Sequence, residues 1–141
     1  MRKVLWTAAA AALVFTAGYW AGHVETVRAQ SKRVFELRTY HTLDGRLDAL
    51  HARFRDHTVK LFQKHGITNI GYFSPQDPPL AGKTLIYLLA HPSREAAKKN
   101  FDAFRTDPAW IKARDESEKS GKIVEKVESV FLDPTDFSPL K

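Results

Sequence analysis

His57 is the histidine whose position best suits catalysis. It lies three residues after Phe54 and four before Leu61, so we expect it on or beside the buried stripe of a helix. In a pocket between that helix and a sheet, its imidazole could act as a general base. The alternative is a histidine at the edge of the core that hydrogen-bonds to a neighbour and takes no part in a reaction.

Glu36, Arg38 and Tyr40 form a second candidate group, because alternate residues of a strand share one face. Arg38 could hold an anionic ligand through two hydrogen bonds, with Tyr40 as a further donor. The alternative is structural: Arg38 pairs with Glu36 or with a carboxylate of the last strand, and so fixes the register of a dimer interface. The candidate carboxylates of that strand are Glu125 and Glu128. We expect the structural role, because charges on a covered face must be paired.

An apolar ligand pocket is a third possibility. Ligand sites tend to combine hydrophobic and aromatic walls with a few polar groups. The predicted pocket residues are Arg38, Tyr40, Phe54, Tyr72, Tyr87, Phe104 and Trp110. Aromatic residues at these spacings more often form an ordinary hydrophobic core.

Other chemistries lack a motif in the sequence. His51 and His57 lie six residues apart, on different faces of a helix, and the chain has no cysteine, so no metal site is predicted. No cofactor is predicted either, although haem stays open because one histidine suffices as its axial ligand. The chain has no Gly-x-Ser-x-Gly nucleophile motif and no glycine-rich phosphate loop.

The first 29 residues have the layout of a secretory signal. Two basic residues precede an uncharged stretch over 4–22, and short side chains precede a cleavage point after Ala29. We therefore predict a signal peptide over 1–29, a domain over 30–141, and a periplasmic or secreted protein. If the segment is not cleaved, it would anchor the domain to the cytoplasmic membrane, since about 18 apolar residues can span a bilayer.

The charge of the predicted domain is modest. Residues 30–141 carry 19 Lys and Arg against 15 Asp and Glu, because three of the 22 basic and one of the 16 acidic residues precede them. These charges are interleaved, whereas nucleic-acid-binding proteins cluster positive charge on one face. No nucleic-acid partner is therefore predicted.

Hydrophobic periodicity and turn residues predict a strand–helix–strand unit that occurs twice. Strands are predicted over 33–41, 67–74, 83–91 and 123–132, with a first helix from an Asp44 cap to Gly66 and a second from 92 to Gly121 that restarts at Asp107 and Pro108. This order predicts an α+β, ferredoxin-like βαββαβ fold with a four-stranded antiparallel sheet and both helices on one face. Since the other face also carries apolar residues, we expect two sheets to pair in a homodimer.

As a set, several segments resemble the NIPSNAP family. They are FELRTY at 35–40, DGRL at 44–47, FQKHG at 62–66, GY at 71–72, LIYL at 85–88 and FRTDPAW at 104–110. The resemblance covers nearly all of 34–132 and implies a dimeric α/β barrel. Cofactor-independent monooxygenases, haem-degrading enzymes and chlorite dismutases share that fold, and fold kinship is only an analogy for function.

The resemblance brings no agreed set of catalytic residues. Known members are linked to mitochondria and to vesicle or mitophagy signalling, from which the bacterial-style leader departs. We therefore expect an exported homodimer that binds a small apolar ligand or serves as an accessory protein. The alternative is a cofactor-independent monooxygenase or isomerase that uses His57 as base, with Arg38 and Tyr40 as electrostatic partners. A third possibility is a structural interaction module with a filled core.

Overall fold

The protein folds into alternating strands and helices over residues 33–141, the part that this computed structural model describes. In chain order the elements are β1 Val34–Thr42, α1 Leu47–Arg53, a π-helical segment Phe54–Thr58, α2 Val59–Lys64, β2 Thr68–Phe73, β3 Thr84–His91, α3 Arg94–Thr106, α4 Pro108–Ser117 and β4 Val124–Leu132. The predicted signal segment 1–29 lies outside the described residues. No helix within 33–141 is long and apolar enough to cross a membrane.

The four strands form one antiparallel sheet with the order β2-β3-β1-β4. This order confirms the predicted ferredoxin-like α+β fold. On β1, Leu37 lies opposite Leu88 of β3 and Val130 of β4. Directly opposed residues project to the same face of a sheet, so this register decides which side chains from different strands meet.

The segments α1, Phe54–Thr58 and α2 make one continuous helical rod. The predicted Asp44 cap is wrong: the rod begins at Leu47, and Arg46 at its N-cap makes no side-chain cap hydrogen bond. The predicted end at Gly66 is confirmed, because this glycine has a φ of 73°, a left-handed conformation that favours glycine.

Side-chain caps fix the start of the two later helices. The Ser93 hydroxyl accepts a hydrogen bond from the Ala96 amide at 3.1 Å, at the start of α3. Asp107 accepts from the Ala109 amide at 2.8 Å, and Pro108 occupies the first turn of α4. The predicted helix restart at Asp107 and Pro108 is thereby confirmed.

The core lies between the helices and one face of the sheet. Leu50 and Phe62 of the rod meet Tyr87 and Leu89 of β3, and all four are essentially fully buried. The other face, called the open face below, is covered by no helix. Its apolar side chains, assigned by strand alternation and pairing, are Phe35, Leu37, Phe73, Ile86, Leu88, Ala90, Val130 and Leu132.

Candidate functional site

Glu36, Arg38 and Tyr40 lie on the helix-covered face of the sheet. The predicted placement of these residues in a dimer interface is therefore wrong. The Tyr40 ring packs edge-on against Phe54 of the rod, with ring centroids 5.7 Å apart. Strand alternation had shown that the three share a face, but only the helix packing decides which face it is. The predicted pairing of Arg38 with Glu36 is confirmed, since Arg38 Nη1 lies 2.5 Å from Glu36 Oε1.

Glu36 is the centre of a buried polar network and is only 2% exposed. Its carboxylate receives Arg38, the Ser129 hydroxyl at 2.5 Å and His91 Nε2 at 3.1 Å. Burial alone would raise the pKa of Glu36. Hydrogen bonds from His91 and Ser129, with the charge of Arg38, outweigh burial and lower that pKa to about 2. The carboxylate is therefore ionised at any physiological pH.

Arg38 ties this network to the aromatic core. Its Nε donates to the Tyr87 hydroxyl at 3.0 Å, and its guanidinium lies 4.8 Å from the centre of the Phe101 ring. Burial raises the pKa of Tyr87 well above its ordinary value, so the phenol stays neutral. The polar atoms of Glu36 and Arg38 are thus bonded to other residues of the protein, and we assign this network a role in stability.

An open cleft lies instead between the helical rod and the end of β2, and it is called the β2 cleft below. Its volume is about 340 Å³, at the lower end of the range for small-molecule sites. It is lined by His51, Phe54, Arg55, Val59, Tyr72, Phe73, Ser74 and Leu85. Phe54 and Tyr72 form its aromatic wall, with ring centroids 5.8 Å apart.

The π-helical segment shapes this cleft. A π turn is wider than an α turn, and such segments recur at functional sites. Its end residues Phe54 and Thr58 are buried, while residues 55–57 between them are exposed. Arg55 is one of these exposed residues and lies at the rim of the cleft.

Each polar side chain of the β2 cleft can donate a hydrogen bond, and some can also accept one. No carboxylate lines the cleft. His51 Nε2 lies 3.1 Å from the Ser74 hydroxyl oxygen. The Tyr72 hydroxyl donates to Asn69 Oδ1. Burial, followed by the proximity of Tyr40, raises the pKa of Tyr72, so this phenol also stays protonated.

His57 lies elsewhere. It is exposed and lines a groove of about 310 Å³ between the rod and α4, together with Asp56 and Glu116. The predicted position beside the buried stripe is wrong, because the π turn buries Thr58 and turns residue 57 outward. Its catalytic role stays a prediction, now attached to this outer groove.

The predicted pocket residues separate into two groups. Tyr40, Phe54, Tyr72 and Tyr87 form one aromatic cluster with Arg38, and ring centroids in it are 5.2 to 5.8 Å apart. Phe104 and Trp110 pack on each other at 4.5 Å, on the far side of Phe62. Of the seven predicted residues, the β2 cleft takes only Phe54 and Tyr72 as lining.

Six cleft residues were absent from the predicted pocket. Three are apolar, Val59, Phe73 and Leu85, and three are polar, His51, Arg55 and Ser74. His51 precedes Phe54 by three residues, which is a helical signal for a shared side. Arg55 follows His51 by four residues, which is the same helical signal. Ser74 meets His51 only through the fold. Among residues 33–141 no group of three or more His, Asp or Glu side chains is placed to hold a metal ion.

The family model described as NIPSNAP matches residues 35–139, which includes every strand and helix described above. The chain belongs to the NIPSNAP family. The match confirms the family membership that the sequence segments indicated. No curated protein matches the chain significantly.

Solved structures share this fold at low sequence identity. A NIPSNAP family protein of unknown function from Agrobacterium tumefaciens is 21% identical, with a TM-score of 0.68, and the match covers 79% of this chain and 96% of that one. An uncharacterised NIPSNAP-like domain protein from Burkholderia xenovorans is 17% identical, with a TM-score of 0.67 and coverages of 77% and 90%. The matched region makes up 96% and 90% of the two solved chains.

A more distant match is a monooxygenase from the gene ActVA-Orf6 of Streptomyces coelicolor, solved in complex with the ligand nanaomycin D. It is 16% identical, with a TM-score of 0.53, and the match covers 74% of this chain and 89% of that chain. At this identity the similarity shows a shared fold and carries no residue roles across.

Proposed function

We propose that this NIPSNAP domain is an exported, homodimeric binding protein for a small, largely apolar ligand, which it holds in the β2 cleft. The observation that carries the proposal is the cleft itself: an opening of about 340 Å³ with aromatic walls and a few convergent polar groups. Sites of this kind bind small molecules. Export rests on the signal-like segment 1–29, and N-terminal sequencing of the exported protein tests cleavage after Ala29.

The cleft is tested by binding of an uncharged aromatic probe to residues 30–141. We expect N-phenyl-1-naphthylamine to gain fluorescence on binding, because the apolar cleft removes it from water. Val59→Trp fills the cleft and should abolish the gain. Ile111→Trp, on the exposed surface of α4, is the matched control and should retain it. No fluorescence gain, or equal loss in both variants, would rule out the cleft as the binding site.

The alternative is a cofactor-independent monooxygenase or isomerase. The shared fold with the Streptomyces coelicolor monooxygenase favours it. The predicted base is His57, but the histidine that lines the β2 cleft is His51. Replacing each histidine by Ala, and assaying turnover of any ligand found, separates the possibilities: loss only in His57→Ala supports the predicted base, and loss only in His51→Ala places the reaction in the cleft.

The open face supports the homodimer. In the monomer Val130 and Leu132 are 54% and 41% exposed, next to the partly buried Leu37 and Leu88 of the central strands. A contiguous apolar surface of this kind marks an interaction site. A second copy of the same sheet is complementary to it, since two-fold dimers pair identical patches.

Two valines of the edge strand β4 provide the dimer test. Val130 lies on the open face and Val127 on the opposite face, and both are exposed, at 54% and 42%. We expect Val130→Arg to yield a monomer in sedimentation equilibrium, whereas Val127→Arg should stay dimeric. A monomeric wild-type domain, or a dimer that survives Val130→Arg, would contradict pairing through the open face.

A further inference from the structure

The charge distribution around the β2 cleft identifies the class of ligand more closely than its shape does. We propose that the cleft selects an organic monoanion, such as an aromatic or acyl carboxylate, whose apolar body lies on Phe54 and Tyr72 and whose charged group reaches Arg55. This inference rests on the proposed binding function of the same cleft.

Arg55 is distinguished from every other arginine in residues 33–141. The others all have partners: Arg38, Arg53, Arg105 and Arg114 pair with carboxylates, Arg33 and Arg46 donate to main-chain carbonyls, and Arg94 stacks on Phe131. Arg55 alone among the arginines of this region has no hydrogen bond, ion pair or ring contact. Its guanidinium is therefore available to a ligand without breaking an existing contact.

The rest of the lining reinforces the preference for an anion. No Asp or Glu lines the cleft, so nothing there repels a carboxylate. The Ser74 hydroxyl, 3.1 Å from His51 Nε2, can offer a second hydrogen bond. A carboxylate could thus contact Arg55 and the Ser74 hydroxyl, while its rings or chain remain on the apolar wall.

A low-dielectric wall strengthens the attraction. Phe54 is 4% exposed, and Leu85, also 4% exposed, continues the same surface. A charge beside such a surface is less screened than one in open water. An uncharged ligand of the same shape would gain the apolar contact but not the attraction to Arg55.

The test compares two probes of matched shape, 2-naphthoate and its uncharged analogue 2-naphthamide, by calorimetric titration of residues 30–141. We expect naphthoate to bind about tenfold more tightly, equivalent to about 1.4 kcal/mol, as one charge-assisted contact provides. Arg55→Gln should remove that preference and leave naphthamide binding unchanged. Arg94→Gln changes the net charge equally, lies outside the cleft and should retain the preference.

The outcomes distinguish failure of the anion preference from failure of the proposed ligand-binding function. If both probes bind with equal affinity, or if Arg55→Gln weakens both alike, the anion preference is wrong while the cleft remains a binding site. If neither naphthoate, naphthamide nor N-phenyl-1-naphthylamine binds, the proposed binding function fails as well. If Arg94→Gln has the same effect as Arg55→Gln, the preference comes from net charge and not from the cleft.

Discussion

Replacing Glu36 by Gln should destabilise the domain at neutral pH and destabilise it less in acid. Glutamine is close in shape to a protonated glutamate, so the change removes the charge and keeps the volume. Arg38, His91 and Ser129 then face a neutral group in place of a carboxylate. Their interactions with the charged form are the reason that the Glu36 pKa is lowered from 4.5 to about 2.

The magnitude follows from this pKa. Each pKa unit corresponds to about 1.4 kcal/mol, so lowering the Glu36 pKa contributes about 3 kcal/mol of stability at pH 7. A lowered pKa in the folded state stabilises the protein above the unfolded-state pKa, and this stabilisation is lost as pH falls toward the folded-state pKa. Of the difference between wild type and Glu36→Gln, about 2 kcal/mol should therefore disappear between pH 7 and pH 3.

Urea unfolding of residues 30–141 at a fixed protein concentration measures this difference. Trp110, which packs on Phe104, is the single tryptophan of that segment and reports unfolding by its fluorescence. Glu125→Gln, at an exposed position of β4, is the control for loss of one negative charge. If wild type and Glu36→Gln differ by the same free energy at pH 3 and pH 7, the pairing of the carboxylate is not what stabilises it.

Three further substitutions test the core and the cleft. Tyr87→Phe should cost about 1–2 kcal/mol in urea unfolding, because Arg38 Nε loses its buried acceptor; an unchanged midpoint would contradict this. Gly71→Ala would place a Cβ 2.7 Å from the Phe73 ring, which is 61% exposed and can move. We expect stability within about 0.5 kcal/mol of wild type, and N-phenyl-1-naphthylamine binding weaker by about threefold, the loss for roughly 30 Å² less apolar contact. Leu50→Ala, at a fully buried position, should cost about 2–5 kcal/mol, and a smaller loss would mean that the helices repack.

Most of the fold is predictable because its signals are local. Alternation along β1, the continuous apolar run of β3, the glycine at 66 and the Asp107 cap each act within a few residues. The structure retains these elements with shifts of one or two positions. The prediction of an Asp44 cap is wrong because a suitable residue type permits a cap but does not fix where the helix begins. The chain instead turns at Gly45, whose φ is 70°, and begins the helix three residues after Asp44.

The site was less predictable because it depends on helical phase and on packing between distant segments. His57 was placed by counting in α-helical turns, and a single π turn between Phe54 and Thr58 displaces it to the outer groove. The cleft pairs His51 with Ser74, 23 residues apart, across the rod and the end of β2. A contact between residues so far apart produces no periodic pattern in the sequence.

The sequence by itself determined the order of elements, the family and the set of side chains that share each strand face, because these follow from alternation, turn residues and segment patterns. Only the tertiary structure decided which face of β1 the helices cover. Glu36, Arg38 and Tyr40 thereby became a buried network, and the apolar side chains around Leu37 became the open face. The physical reason is that both faces of β1 carry apolar side chains, so alternation alone allows either face to be the one that the helices cover. Packing of the rod over Tyr40 and Tyr87 selects one of them.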